Sequence, residues 1–324
     1  MTFQKVLFIQ LKMLGDILML TPTIKAFKQK YPQAELNVVV QRPGDELLKL
    51  NPYIDNIIVA NSCQWYSLLR QLNILEAIRS NHYDMVVDFL GNPRTAHYTF
   101  LSGANIRVGY RDARFKYAYN RTYDRIHSYS AISKLQFLSF LDIDTGDYQP
   151  EFYLDDKITI PNEMTALGDK KLVAISPVSL RAEKIWPTGG FAEVAEYLSQ
   201  KFNLYPVVIA GPGEQSFLDE YAKYAKTPYT PLLIENLKQL GAVLKRCNIF
   251  IGNDNGPKHI AVAVGLPTFT IYGHISDPIC WNYPDPARHQ FIGGANQPDC
   301  TLIKQIPTVS MIDKLRPFME NLYK

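Results

Sequence analysis

The sequence predicts an α/β protein of two doubly wound lobes, and three observations lead there. Its 324 residues are too many for a typical single domain and suit two of ~150 residues each. Short apolar runs alternate with longer stretches of helical period, the pattern that sets crossover helices on parallel strands. The alternation runs to residue 141, stops, and restarts near residue 171.

In the first lobe, strands are expected at Lys5–Leu11, Leu36–Gln41, Asn56–Val59, Tyr83–Phe89 and Asn105–Val108. Helices fall between them at Asp16–Lys30, Gln64–Ser80 and Pro93–Leu101, and one at Ala131–Leu141 ends the lobe. Asp142–Gly168, rich in Asp, Pro and Gly, reads as the interdomain connection and divides the chain into domains 1–150 and 151–324. Second-lobe strands are expected at Lys171–Ser176, Tyr205–Ala210, Pro231–Ile234, Asn248–Ile251 and Pro267–Tyr272. The helices there are Gly189–Lys201, Glu214–Ala225, Asn236–Arg246 and Pro257–Val264. A last amphipathic helix, Ser310–Leu322, is a candidate to pack back on the first lobe.

A hydrophobic share of 47% and a charged share of 20% exclude a disordered chain. A net charge of +3 is too slight to indicate nucleic acid as a partner. The excess is local: Arg107, Arg111, Arg114, Lys116, Arg121 and Arg125 face only Asp112 and Asp124, with Tyr110, Tyr117, Tyr119 and Tyr123 between them. Cys63, Cys247, Cys280 and Cys300 form no CxxC pair, so neither a disulfide frame nor a zinc site is expected. No apolar run approaches the ~20 residues that span a bilayer. Lys12 and Asp16 interrupt Val6–Leu11 too early for a signal peptide, and a cytoplasmic location is expected.

In doubly wound sheets ligands sit at the carboxyl ends of the strands, so four strand-to-helix loops matter most. The first is Lys12-Met13-Leu14-Gly15-Asp16. Asp16 either caps the following helix or stands as a carboxylate that accepts a proton from an attacking hydroxyl. The second runs from Ser176 to Pro187. There Lys184 can neutralise a departing diphosphate and Ser179 can donate to it, unless the loop is only solvated charge; Trp186 reads as a packing anchor.

The third, Ala210-Gly211-Pro212-Gly213-Glu214-Gln215, is not a GxGxxG fingerprint, because Ser216 stands at the third glycine. Glu214 either binds ribose hydroxyls or favours the helix dipole. The fourth, Gly252-Asn253-Asp254-Asn255-Gly256-Pro257-Lys258-His259, is the strongest. Pro257 suits a first helical position, and the backbone N–H groups of Asn255, Gly256 and Lys258 make a diphosphate cradle. His259 falls on the first turn, to contact phosphate or sugar or to serve structure. Asp142-Ile143-Asp144 has the spacing of a metal-holding DxD motif but lies in the connection, so neither metal nor cofactor is expected.

These loops resemble those of the lipopolysaccharide heptosyltransferases, glycosyltransferase family 9. The likeness is carried by Gly15-Asp16-Ile17-Leu18-Met19-Leu20-Thr21-Pro22, by Arg107-Val108-Gly109-Tyr110, and by Lys184-Ile185-Trp186-Pro187. It continues in Asp254-Asn255-Gly256-Pro257-Lys258-His259, Gly265-Leu266-Pro267, Tyr272-Gly273 and Asp277-Pro278. The resemblance implies a GT-B fold, two Rossmann-like lobes facing a central cleft, and an inverting, metal-independent transfer from an ADP-activated heptose. It makes Asp16 the base. It also assigns the donor to Ser179, Lys184, Glu214, Asp254, Asn255, Gly256 and His259. The family often has Ser or Thr where Asn255 stands and an apolar residue where Lys258 stands, which leaves a related donor sugar open.

The expected acceptor is an anionic lipid-linked sugar of the lipopolysaccharide inner core, held by Arg107, Arg111 and Arg114 of the first lobe. That basic stretch also suits peripheral contact with the inner face of the inner membrane, or is only solvated surface. A nucleotide-sugar-binding protein without transfer activity is the alternative. An epimerase lacks support, since the first lobe has no Tyr-x-x-x-Lys pair after its nucleotide loop and Tyr110 is followed at that spacing by Arg114.

Overall fold

A computed structural model of the chain describes residues 1–11, 13–60, 68–144 and 146–323. Lys12, Cys63 and the expected helix start at Gln64 lie outside them. Two compact units result, Met1–Tyr153 and Leu154–Lys324.

The first unit holds β1 (Lys5–Ile9), β2 (Glu35–Val40), β3 (Asn56–Val59), β4 (Met85–Asp88), β5 (Ile106–Tyr110) and β6 (Arg121–Tyr123). All pairs are parallel, in the order β3-β2-β1-β4-β5-β6. The strands are apolar on both faces because helices cover both. On one side Leu7, Ile9, Val39 and Val86 pack with Ile74, Ile78 and Tyr98. On the other, the rings of Phe8, Phe27, Phe89, Phe137 and Tyr110 meet edge to face or tilted.

The second unit repeats the winding with β7 (Leu172–Ser176), β8 (Tyr205–Ala210), β9 (Thr230–Leu233), β10 (Ile249–Asn253), β11 (Thr268–Tyr272) and β12 (His289–Gly293). Its order, β12-β11-β10-β7-β8-β9, is that of the first sheet with β7 in the place of β1 and β10 in the place of β4. In each sheet the winding reverses beside the first strand, and the crevice there is where such sheets bind ligands. The loops after β1 and β4, and after β7 and β10, therefore flank the two switch points.

Three expectations change. The helix foreseen over Asp16–Lys30 is two, Leu14–Leu18 and Thr21–Lys30. Pro22 has no N–H for the Leu18 carbonyl, which instead accepts the Thr21 hydroxyl at 2.7 Å. The stretch Ala131–Leu141 splits into an α-helix, Ser130–Leu135, and a 3₁₀ segment, Gln136–Leu141. The short strands β6 and β12 are additional. The last helix, Thr308–Leu322, contributes to the core of the second unit. Its Met311, Leu315, Phe318 and Met319 pack with Phe269, Ile271 and Phe191. Among the described residues, no helix is long and apolar enough to cross a membrane.

Candidate functional site

The switch point of the second unit is built on asparagines. Gly252 lets β10 approach β7, since a Cβ there would lie 2.9 Å from the Ser176 carbonyl. The next residue, Asn253, is fully buried and clamps the loop after β7 at both ends. Its amide donates to the Pro177 carbonyl at 2.8 Å and accepts the Trp186 N–H at 3.1 Å. Asn255 caps the helix Gly256–Ala263, accepting the Lys258 N–H at 3.0 Å, and donates to the Val178 carbonyl at 2.8 Å and to Ser176 Oγ at 3.1 Å. Trp186 closes the loop from below, buried against Phe191, with its indole N–H on the Ile306 carbonyl. This is the packing role expected of it.

The clamped loop carries Lys184 to Asp254, Nζ to Oδ2 at 2.5 Å. The same oxygen accepts the Ser276 hydroxyl at 3.0 Å. The other oxygen lies 3.6 Å from Lys258 Nζ and 3.7 Å from His259 Nε2. Asp254 is buried, and burial opposes its ionisation. The cations Lys258 and Lys184 outweigh that and hold its carboxyl down at about 2. Beside the Lys184 turn is a concavity of about 250 Å³ lined by Ala182, Glu183, His274, Leu302, Ile303 and Lys304.

Four expected donor ligands prove partly engaged. The Lys258 N–H, foreseen in the phosphate cradle, is taken by the Asn255 cap, and both ends of the Asn255 amide serve the loop. Glu214 folds back to accept the Gly211 N–H at 2.7 Å, closing the turn after β8. Ser179 Oγ accepts the Arg181 N–H at 3.3 Å. Lys184, Asp254, Gly256 and His259 do gather at the carboxyl end of β10.

In the first unit, Asp16 is not a helix cap. The N-cap is Met13, and Asp16 sits one turn in, where its Oδ1 accepts Lys134 Nζ at 3.0 Å. Lys134 is nearly buried and also donates to Ser130 Oγ at 2.9 Å. Asp88, at the end of β4, is fully buried and accepts N–H bonds from Leu90 and Gly91 and the Tyr119 hydroxyl at 2.7 Å. Burial pushes its carboxyl up, the hydrogen bonds opposing. Gly109 makes room for that tyrosine, because a Cβ there would meet the ring at 2.4 Å.

In the basic stretch Arg111, Arg114, Lys116, Arg121 and Arg125 are exposed and Arg107 is half-buried. Arg107 braces its own loop, donating to the Ala118 and Ala104 carbonyls at 2.9 and 2.7 Å. Arg125 lies 3.6 Å over the Tyr110 ring and pairs with Asp112. Arg121 stacks on Phe140. Arg111 pairs with Asp124 at 3.3 Å, both exposed, and Arg114 is exposed beside Phe115.

Sequence reasoning passed over three of these groups. Asn253 reads in the sequence as one more polar turn residue after the strand Asn248–Ile251, Lys134 lies 118 residues from Asp16, and nothing in a sequence marks Lys258 as buried.

Two lobes of one winding, each with charged chemistry at its switch point, define as a class a GT-B glycosyltransferase. The sequence profile of glycosyltransferase family 9 (heptosyltransferase) matches residues 71–302, and the chain belongs to that family. It is 25% identical over 326 residues to lipopolysaccharide heptosyltransferase 3 of Escherichia coli (strain K12), covering 94% of this chain and 90% of the relative. It is 22% identical over 275 residues to the lipopolysaccharide core heptosyltransferase OpsX of Haemophilus influenzae, covering 82% and 78%. In fold it is similar to a family 9 glycosyltransferase from Veillonella parvula, with a TM-score of 0.85, 20% identity and coverage of 99% and 98%. It is also similar to the E. coli heptosyltransferase WaaC with ADP-2-deoxy-2-fluoro heptose, with a TM-score of 0.76, 19% identity and coverage of 98% and 99%.

Proposed function

We propose that the chain moves a heptose from ADP-heptose to an acceptor of the lipopolysaccharide inner core, with inversion and without a metal. The observation that carries this reading is the Lys184–Asp254–Lys258 cluster at the end of β10, two cations on one buried carboxylate. Such a surplus of positive charge suits a diphosphate leaving group, whose charge grows in the transition state. The relatives' activity as lipopolysaccharide heptosyltransferases supports heptose as the sugar.

Asp16 is the proposed base. Lys134 binds its Oδ1, which orients Oδ2 toward the acceptor. Oδ2 takes the proton as the acceptor oxygen attacks the anomeric carbon from the face opposite the diphosphate. The bond to the leaving phosphate oxygen breaks, and one displacement inverts the centre. Lys184 and the helix Gly256–Ala263 stabilise the departing charge.

The acceptor's phosphates and carboxylates meet Arg111 and Arg114. The Arg111–Asp124 pair is exposed and opens at little cost. The same cations suit a peripheral seat on the inner face of the inner membrane.

The test is release of ADP from ADP-heptose with a Kdo-bearing lipid A acceptor, in wild type and in Asp16→Ala. Acceptor-dependent release that collapses in the variant while ADP still binds is the expected result. Tight donor binding with no turnover on any inner-core acceptor would return the chain to a binding role.

A further inference from the structure

The two lysines on Asp254 differ in freedom. Lys184 sits on the 3₁₀ turn Ala182–Lys184 and keeps 17% of its side chain exposed. Lys258 has 0% exposed. Its Nζ donates to the Trp281 carbonyl at 2.6 Å and lies 5.5 Å from the centroid of the Tyr272 ring. Its own helix and the Trp281 carbonyl hold it in place. Asp254 thus has one cation that can leave and one that cannot. Stripping a buried carboxylate of its counterion is strongly unfavourable. With Lys184 alone, any anion drawing that lysine away would meet this cost.

We propose that Lys258 is the standing counterion of Asp254, which frees Lys184 to move from that carboxylate to the diphosphate of an incoming donor. The inference rests on the assignment of the nucleotide diphosphate to this site. Lys258 is a positioning residue: it acts through Asp254 and touches no donor atom. The groups that face it are Asp254 from the end of β10, Lys184 from the loop after β7, His259 from its own helix at 3.5 Å, Tyr272 from β11 and His289 from β12.

Burial pushes the Lys258 ammonium down to about 8, Asp254 opposing. Below that pH the standing counterion is charged and Lys184 can leave. Above it Lys258 is neutral, Asp254 retains Lys184, and donor affinity falls. The charge of ADP itself is constant there, since a terminal phosphate completes its ionisation near pH ~6.

The experiment is calorimetric titration with ADP at about pH 7.5 and about pH 9.5, on wild type, Lys258→Met, Lys258→Gln and Lys184→Met, with Tm recorded for each. Wild type should bind about tenfold more weakly at the higher pH. Both Lys258 variants should be about as weak at the lower pH and insensitive to the change. Wild-type affinity that varies less than twofold with pH overturns the proposal, and this arm needs no variant to fold. So does a Lys258 variant that keeps the wild-type slope. Failure of the underlying assignment looks different: ADP would not bind wild type at all, or would bind Lys184→Met as tightly as wild type.

Discussion

Asp88 and Asp254 stand at matching places, the first at the end of β4 and the second just past β10, each beside its sheet's switch point. Both are buried, yet their surroundings are opposite. Asp88 is met by two backbone N–H groups and a tyrosine hydroxyl, and burial pushes its carboxyl up. Asp254 is met by two lysines, a serine and a histidine, and is held down at about 2. Neutral donors turn a buried carboxylate into a clasp for its own loop. Cations in excess turn it into a place for an anion. Position in the fold offers the site; the counter-group decides what the site does.

The largest effect expected from this contrast is on rate. Asp16→Asn should lower kcat by ~10²–10⁴-fold while ADP affinity stays within about twofold, because the proposed base lies in the first unit and the proposed nucleotide site in the second. Steady-state kinetics beside ADP titration checks it; affinity falling in step with rate would break the division of labour.

Next comes Asp254→Asn, which leaves Lys184 and Lys258 facing each other without a carboxylate. It should cost ~3–5 kcal/mol in urea unfolding. Asp88→Asn loses only the charge-bearing oxygen of a hydrogen-bonded clasp and should cost ~1–3 kcal/mol. The reverse order would refute the contrast.

A pH effect of similar size tests the second lobe alone. Burial pushes His289 down to about 4, with its Nδ1 3.0 Å from Thr268 Oγ1. The unfolded chain takes up that proton near pH ~6.5 and the folded chain does not. Stability from the neutral ring is therefore complete above about 6.5 and is lost as pH falls from there through about 4. His289→Gln should flatten that limb of a Tm-against-pH curve. Asp254, by the same reasoning, gives way only as pH falls from the ordinary carboxylate value through about 2.

The smallest change expected is in Arg111→Ser. Its exposed pair with Asp124 should contribute at most ~0.5 kcal/mol to stability, while KM for the acceptor rises. A stability loss beyond 1 kcal/mol would place Arg111 with Arg107 as a brace.

The apolar strands and the loops after them were legible in the sequence because parallel strands are hydrophobic on both faces and glycine, proline and asparagine mark the turns. Strand β6 was not, for Arg-Thr-Tyr at a sheet edge has no apolar signature. Nor was β12, whose His289 and Gln290 disguise it. Asp16, Lys184 and Asp254 stood out as charged residues at strand ends. Lys134 did not, because its link to Asp16 exists only once the first lobe has folded. The partners of the basic stretch were hidden for a related reason: composition counts cations but not the carbonyls, carboxylates and rings that engage them.

Each sheet draws all its strands from one contiguous half of the chain, and this sets an order of events during synthesis. The first sheet is complete once residue 123 has left the ribosome. Its strands can therefore pair before the second set exists to compete for them, which limits mispairing between two sheets of identical winding. The second core has no such head start. It needs Met311, Leu315, Phe318 and Met319 of the helix Thr308–Leu322, so it closes only after residue 319 has emerged. Until then its parallel strands are the part of the nascent chain most exposed to chaperones and proteases.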